Sequence, residues 1–247
     1  PTASPAPTSH WFEGTLVAYY PFEDGNATDA FGTKDGDAYR EGQSVSSLPV
    51  SVGKDGKDAV QLAGDYDYIS LPSSMTDDEI TGSAPRSICL WAKIDDWSDG
   101  DALFEYGGTA AGDQKFGLFL GAKESYLDVQ TGVDNATIVI NSTTIDWDYW
   151  HHYCVTYDGL DVEFYFDAQL AAQWAPASAL NTGTGGHMHL GVDSYETHAM
   201  DGSLDEVYVY RSALSTAAIE VLYGSVTEMP TASPAPTSHW FEGTLVA

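Results

Sequence analysis

Between residues 16 and 210 apolar and polar positions alternate with a period of two in one short run after another. This is the pattern of strands that turn one face to a core. In Ser87–Lys93 (SICLWAK), Ile88, Leu90 and Ala92 fall on one face, and Cys89 and Trp91 on the other. Leu16–Phe22 (LVAYYPF) is β-branched and aromatic and reads as a strand. Val60–Ala63 and Tyr68–Leu71 flank GDYD and predict a hairpin. Further strands are predicted at Ala102–Tyr106, Phe116–Gly121, Tyr126–Gln130, Thr137–Asn141, Tyr153–Tyr157, Val162–Phe166, Gln169–Ala172, Met188–Val192 and Leu204–Tyr210. Residues 25–42 (GNATDAFGTKDGDAYREG) read as a turn-rich loop. Only Thr216–Leu222 carries helical spacing, with Ile219 and Leu222 on one face and Ser215 placed to cap it. The expected class is therefore all-β: a two-sheet antiparallel β-sandwich with one short C-terminal helix.

The second pattern is a repeat. Residues 1–18 (PTASPAPTSHWFEGTLVA) recur letter for letter as residues 230–247, an offset of 229 from Pro1 to Pro230. Self-identity at a fixed long period marks a tandem array. The chain thus reads as a linker at 1–10, a sandwich over 11–223, a second linker at 224–238, and the start of a further repeat at 239–247. PTASPAPT has no apolar periodicity and favours polyproline II, so its eight residues span roughly 25 Å as a semi-rigid spacer. Thr2, Ser4, Thr8, Ser9, Thr231, Ser233, Thr237 and Ser238 are candidate O-glycosylation sites. Trp11, Phe12, Trp240 and Phe241 are candidates for contact between units.

Charge narrows the choice of partners. Thirty-seven acidic residues against nine basic ones leave a net charge of −28. A field of that sign repels nucleic acid and anionic lipid. No apolar run reaches the length of a membrane span, so no membrane insertion is expected. The chain opens on Pro1 rather than Met, so it reads as a piece of a mature product. Asn26, Asn135 and Asn141 each open an Asn-X-Ser/Thr sequon, which points to an extracellular or cell-surface glycoprotein. Two cysteines, Cys89 and Cys154, are compatible with buried thiols or with a bridge.

Three strings carry a family resemblance. LVAYYPFEDGNATDAFG resembles the opening of laminin-G-like domains of the concanavalin A-like superfamily. WHHYCVTYDG followed by VEFYFDAQL resembles the family's central strand and the hairpin after it, and DGSLDEVYVYRSALSTAAIEVLY its closing strand and helix. The resemblance covers about residues 13–223 and implies a jelly-roll sandwich in which the first and last strands are neighbours. It places Cys89 and Cys154 where the pentraxin branch carries an inter-strand disulfide. It also implies a structural Ca²⁺ where those terminal strands meet, with Glu23, Asp24 and Asp205 as ligands.

Other chemistry is weaker. The Glu-x-Asp-x-x-Glu strand of the superfamily's glycoside hydrolases is absent, and Asp205-Glu206 and Asp77-Asp78-Glu79 lack the alternation that sets carboxylates on one face. The chain is therefore expected not to be an enzyme. His187 and His189 share a face but have no third zinc ligand nearby in sequence. Trp91 and Trp150 are expected in the core, whereas Trp97, Trp147, Trp174 and Tyr195 lie in or near loops where an exposed ring can stack on a sugar. The leading expectation is a structural repeat of a secreted, glycosylated filament or stalk whose partners are neighbouring copies. The alternative is a carbohydrate-binding lectin or adhesin module, and glycoside hydrolysis ranks last.

Overall fold

A computed structural model of the chain describes residues 15–76, 80–107, 114–121, 126–131, 135–139 and 147–224. They form two eight-stranded antiparallel sheets, with strands numbered in chain order. The first sheet runs β14 (Gln169–Trp174), β13 (Val162–Phe166), β12 (His151–Tyr157), β7 (Arg86–Asp96), β16 (Asp201–Tyr210), β5 (Asp58–Ala63) and β4 (Val50–Val52). Off this path, β1 (Leu16–Tyr20) pairs with the second half of β16, from Leu16↔Tyr210 to Tyr20↔Val207. The second sheet runs β11 (Asn135–Val139), β10 (Tyr126–Gln130), β9 (Lys115–Leu120), β8 (Ala102–Gly107), β15 (Met188–Leu190), β6 (Tyr68–Leu71), β2 (Asp37–Arg40) and β3 (Gln43–Val45). An α-helix, α1 (Thr216–Gly224), follows β16, and the Ser215 hydroxyl caps it by accepting from the Ala218 amide at 3.4 Å.

The period-two pattern lands as read. Ile88, Leu90 and Ala92 meet Tyr153, Val155 and Phe164 of the first sheet and Leu103, Phe104, Leu118, Leu127, Met188 and Ile69 of the second in one core. Cys89 faces the other way and joins Cys154, Leu16, Tyr19, Tyr208, Ile219 and Leu222 in a smaller core beneath α1. Cys89 and Cys154 are directly opposed on β7 and β12 and form a disulfide.

The hairpin expected around GDYD does not form. β5 pairs with β4 and β16, while β6 pairs with β2 and β15 in the opposite sheet. Either connection keeps Val60, Leu62, Ile69 and Leu71 inward, so alternation alone does not separate them. Left-handed backbone at Gly64 (φ 76°) and Tyr66 (φ 62°) bends the chain across. The Asp67 carboxylate fixes the corner by accepting from the amides of Ala63 (3.4 Å) and Glu41 (2.9 Å). The loop read over 25–42 holds β2, a short strand with one buried residue, Ala38.

At one end of the core Arg86 is fully buried. Its guanidinium donates to the carbonyls of Ile80 and Gly82 and lies over the faces of Phe116 (5.1 Å) and Tyr157 (5.2 Å).

Candidate functional site

The two outer faces differ in kind. The first sheet's is closed by β1 and α1. There Glu206 accepts bonds from the hydroxyls of Tyr19 and Tyr208, both at 2.8 Å, and the two rings stack at 4.4 Å. A bulge between Asp205 and Tyr208, with Glu206 at φ 52°, puts both Asp205 and Glu206 on this outer side. That corrects the expectation from strict alternation. Both carboxylates are buried, and burial with the neighbouring Glu206 pushes Asp205 up to about 8.

The carboxylates expected to hold calcium are not gathered. Glu23 accepts from the Lys57 ammonium (3.1 Å) and the Asp58 amide (3.3 Å), Asp24 is exposed, and Asp205 accepts from the Lys54 amide (3.1 Å). Among the described residues no three His, Cys, Asp or Glu side chains group as a metal site.

Most of the aromatics considered as sugar platforms are packed. Trp97 and Trp147 contact each other at 4.8 Å, Trp147 meets His151 and Phe166, and Trp174 packs on the main core. Trp91 is buried as expected, with Tyr223 stacked on it at 5.3 Å. Trp150, expected in the core, is half-buried at the surface, its Nε1 donating to the Val52 carbonyl at 3.3 Å. Tyr195 differs from all of these in being 63% exposed.

Tyr195 sits in a loop between β15 and β16 that is braced from inside. The Asp193 carboxylate accepts from the Thr197 amide (2.6 Å) and hydroxyl (2.8 Å), and from the His198 amide (3.2 Å), and it pairs with His198 Nδ1 (2.9 Å). Burial alone would raise Asp193, but the bonds from His198 and Thr197 outweigh it and hold the group below the usual carboxylate range. The loop is also tied to the second sheet. The Ser194 amide donates to Glu105 of β8 (2.6 Å), and the Tyr68 hydroxyl of β6 donates to Glu196 (3.1 Å).

Beneath the loop, the second sheet's outer face is polar. Pairing sets Asp37, Ser70, His189, Glu105 and Gly117 in one row across β2, β6, β15, β8 and β9. Beside this row Tyr39 stacks on Tyr68 at 4.6 Å, Tyr68 meets His189 at 5.5 Å, and His189 meets the exposed His187 at 6.5 Å. Burial lowers His189, and burial with the Glu196 charge raises the Tyr68 hydroxyl. Lys115 reaches Glu105 at 3.7 Å and lies over Phe119 at 5.2 Å. Exposed ring, carboxylates and hydroxyls on rigid supports can stack on a sugar face and bond its hydroxyl groups.

Of the residues singled out in the sequence, Tyr195, His187 and His189 belong to this surface, the two histidines without a third metal ligand among the described residues. Asp193, Glu196, Glu105, Tyr39 and Tyr68 were not foreseen. A signal for the brace is local: Asp193 precedes a polar Ser-Tyr-Glu-Thr run, the chemistry of a side chain that caps its own loop. Asn26 lies half-buried in a turn where its Oδ1 accepts from the Thr28 amide at 3.0 Å, and Asn135 opens β11. Asn141, the spacer Ser and Thr residues, Trp11, Phe12, Trp240 and Phe241 lie outside the described residues.

Residues 63–220 match the family model described as the concanavalin A-like lectin/glucanases superfamily. No curated protein matches the chain by sequence. Among solved structures, domain 4 of AbnA, a GH43 extracellular arabinanase from Geobacillus stearothermophilus, in complex with arabinotriose, superimposes with a TM-score of 0.64 at 21% identity over 85% of this chain and 98% of that one. The botulinum neurotoxin serotype D ligand-binding domain in complex with N-acetylneuraminic acid gives 0.63 at 10% identity over 86% of this chain and 51% of that one. Trypanosoma rangeli sialidase in complex with the inhibitor DANA gives 0.61 at 15% identity over 89% and 33%.

Proposed function

Because this chain belongs to the concanavalin A-like lectin/glucanase superfamily, we propose that it is an extracellular carbohydrate-binding domain. Its ligand lies over the outer face of the second sheet, under the loop that carries Tyr195. The observation that carries this reading is the contrast at Tyr195: an aromatic ring left 63% exposed on a loop tied down at Asp193, Glu105 and Tyr68. An exposed ring costs solvation, and a rigid support lowers the ordering cost of binding a ligand there. Sugar-bound neighbours of the same fold support the reading. Domain 4 of AbnA matches along almost its whole length, as an accessory domain would. The domain binds rather than hydrolyses. Asp205 and Glu206 sit under β1 and α1, bonded to tyrosines and backbone, away from this surface.

The test is a glycan array probed with the protein and its Tyr195→Ala variant. We expect selective binding that falls at least tenfold in the variant while the melting temperature stays put. No binding to any glycan, or full binding by the variant, sinks the reading.

A second reading joins it. The 18-residue identity between 1–18 and 230–247 supports a tandem array of such domains, the repeat of a filament or stalk. Denaturing electrophoresis of the natural product should then show a species several times the 26.6 kDa of this chain.

A further inference from the structure

Glu196 occupies an unusual position in the braced loop. Its backbone is left-handed (φ 55°), a conformation that costs a residue with a Cβ and that glycine adopts freely. Strain of this kind persists where the surrounding structure over-determines it, and here the braced loop and the bond from Tyr68 do so. The Glu196 side chain is exposed and next to Tyr195 in sequence, and one of its oxygens, Oε1, is held by the Tyr68 hydroxyl. Tyr68 is itself locked between Tyr39 and His189 and 96% removed from solvent. The carboxylate is therefore oriented by a buried partner yet open to a ligand.

We propose that Glu196 is the specificity-determining residue of this surface. Its carboxylate accepts two adjacent hydroxyls of a sugar ring stacked on Tyr195, and its charge restricts the site to neutral oligosaccharides. The proposal rests on the carbohydrate reading above. A carboxylate has acceptor sites only, so it matches hydroxyl donors and has nothing to offer a ligand carboxylate or sulfate. The surroundings do not offset its charge. Glu105 and Asp193 lie on the same side of the sheet, and Lys115 is committed to Glu105. His189 is held neutral by burial, and the chain as a whole carries −28. An anionic group brought to about 5 Å from Glu196 is disfavoured roughly 4-fold at the dielectric of water and a few hundredfold at an effective dielectric of about 20.

The experiment compares the protein with Glu196→Gln and Glu196→Gly on matched panels of neutral, sialylated, uronic and sulfated oligosaccharides, with Tyr195→Ala as reference. The protein should bind neutral members at least tenfold better than their anionic counterparts. Glu196→Gln should weaken neutral binding about tenfold and erase the discrimination. Glu196→Gly suits the left-handed backbone, so it should melt no lower than the parent and still lose binding, a split that a purely structural role does not give. Preference of the parent for acidic glycans overturns the proposal and leaves the carbohydrate reading intact. So does loss of binding in Tyr195→Ala with both Glu196 variants unchanged. Absence of binding by the parent overturns both.

Discussion

The disulfide gives the most direct test of how the sandwich is held. Cys89 and Cys154 lie 65 residues apart, both fully buried, on strands paired from His151↔Ala92 to Tyr157↔Arg86. The bridge therefore adds little to a native alignment already fixed by the ladder. Its effect is on the unfolded chain, where it closes a loop spanning β8 to β11. Chain entropy for a loop of that length corresponds to about 4 kcal/mol at 25 °C. For a domain of this size each kcal/mol moves the melting temperature by about 2–4 °C. Replacing both cysteines by alanine should thus lower melting by about 8–16 °C while leaving far-ultraviolet circular dichroism unchanged. Differential scanning calorimetry of parent and double variant, and of the parent with strong reductant after unfolding, reads the shift. Equal melting of parent and variant would refute the reasoning. So would thiol-specific labelling of both cysteines in denatured, non-reduced protein, because the bond would then be absent.

Two further outcomes follow from buried charge. Burial with neighbouring carboxylates raises Asp205 to about 8, and burial raises Asp101 to about 6, from an ordinary value of 3.8. The folded state therefore holds those protons more tightly, and stability is lost as pH rises through each folded value. Burial lowers His152 to about 3, and it draws stability down only as pH falls below about 6.5. Stability should accordingly rise by on the order of 1–2 kcal/mol from about pH 8 to about pH 6.5, measured by urea unfolding, and Asp205→Asn should remove most of that slope. Arg86→Met keeps the bulk but strips one donor from each of the Ile80 and Gly82 carbonyls, which retain the Tyr106 hydroxyl and the Thr182 amide, so it should cost roughly 1–3 kcal/mol in the same assay. A cost under about 1 kcal/mol would mean that the buried guanidinium is no net support.

Periodicity and motif strings made the long strands legible. Tyr126–Gln130 and Val162–Phe166 emerge with the expected bounds, because each alternates inward residues, Leu127 and Val129 in the one and Val162 and Phe164 in the other. β2, β3 and β4 were not legible. They are three or four residues long and present at most one buried side chain each, which is too few positions for a period to show. The corner at GDYD shows what alternation leaves open: it fixes which face is inward, not which sheet a strand joins. The candidate site was least legible. Tyr195 stood out only as a loop aromatic. Its partners come from β2, β6 and β8, strands far from it in sequence and brought beneath the loop by sheet order alone.

The placement of the two cores also bears on how such domains work in series. Leu16, at the start of β1, and Leu222, near the end of α1, belong to the same small cluster on the first sheet's outer side. The described chain thus enters and leaves the sandwich on one side, and the Tyr195 surface occupies the opposite sheet. In the proposed tandem array this would separate linkage from recognition, since both ends of the described domain lie on the disulfide and helix side, away from the polar face. Individual sugar sites of this shallow kind bind weakly. Several of them on one chain, as proposed, would convert later binding events into intramolecular ones at an effective concentration set by the linkers. Avidity gains of about 10²–10⁴ then need no new contact, only repetition of the same face. On the proposed reading, repetition of the domain would supply the affinity that a single open face lacks.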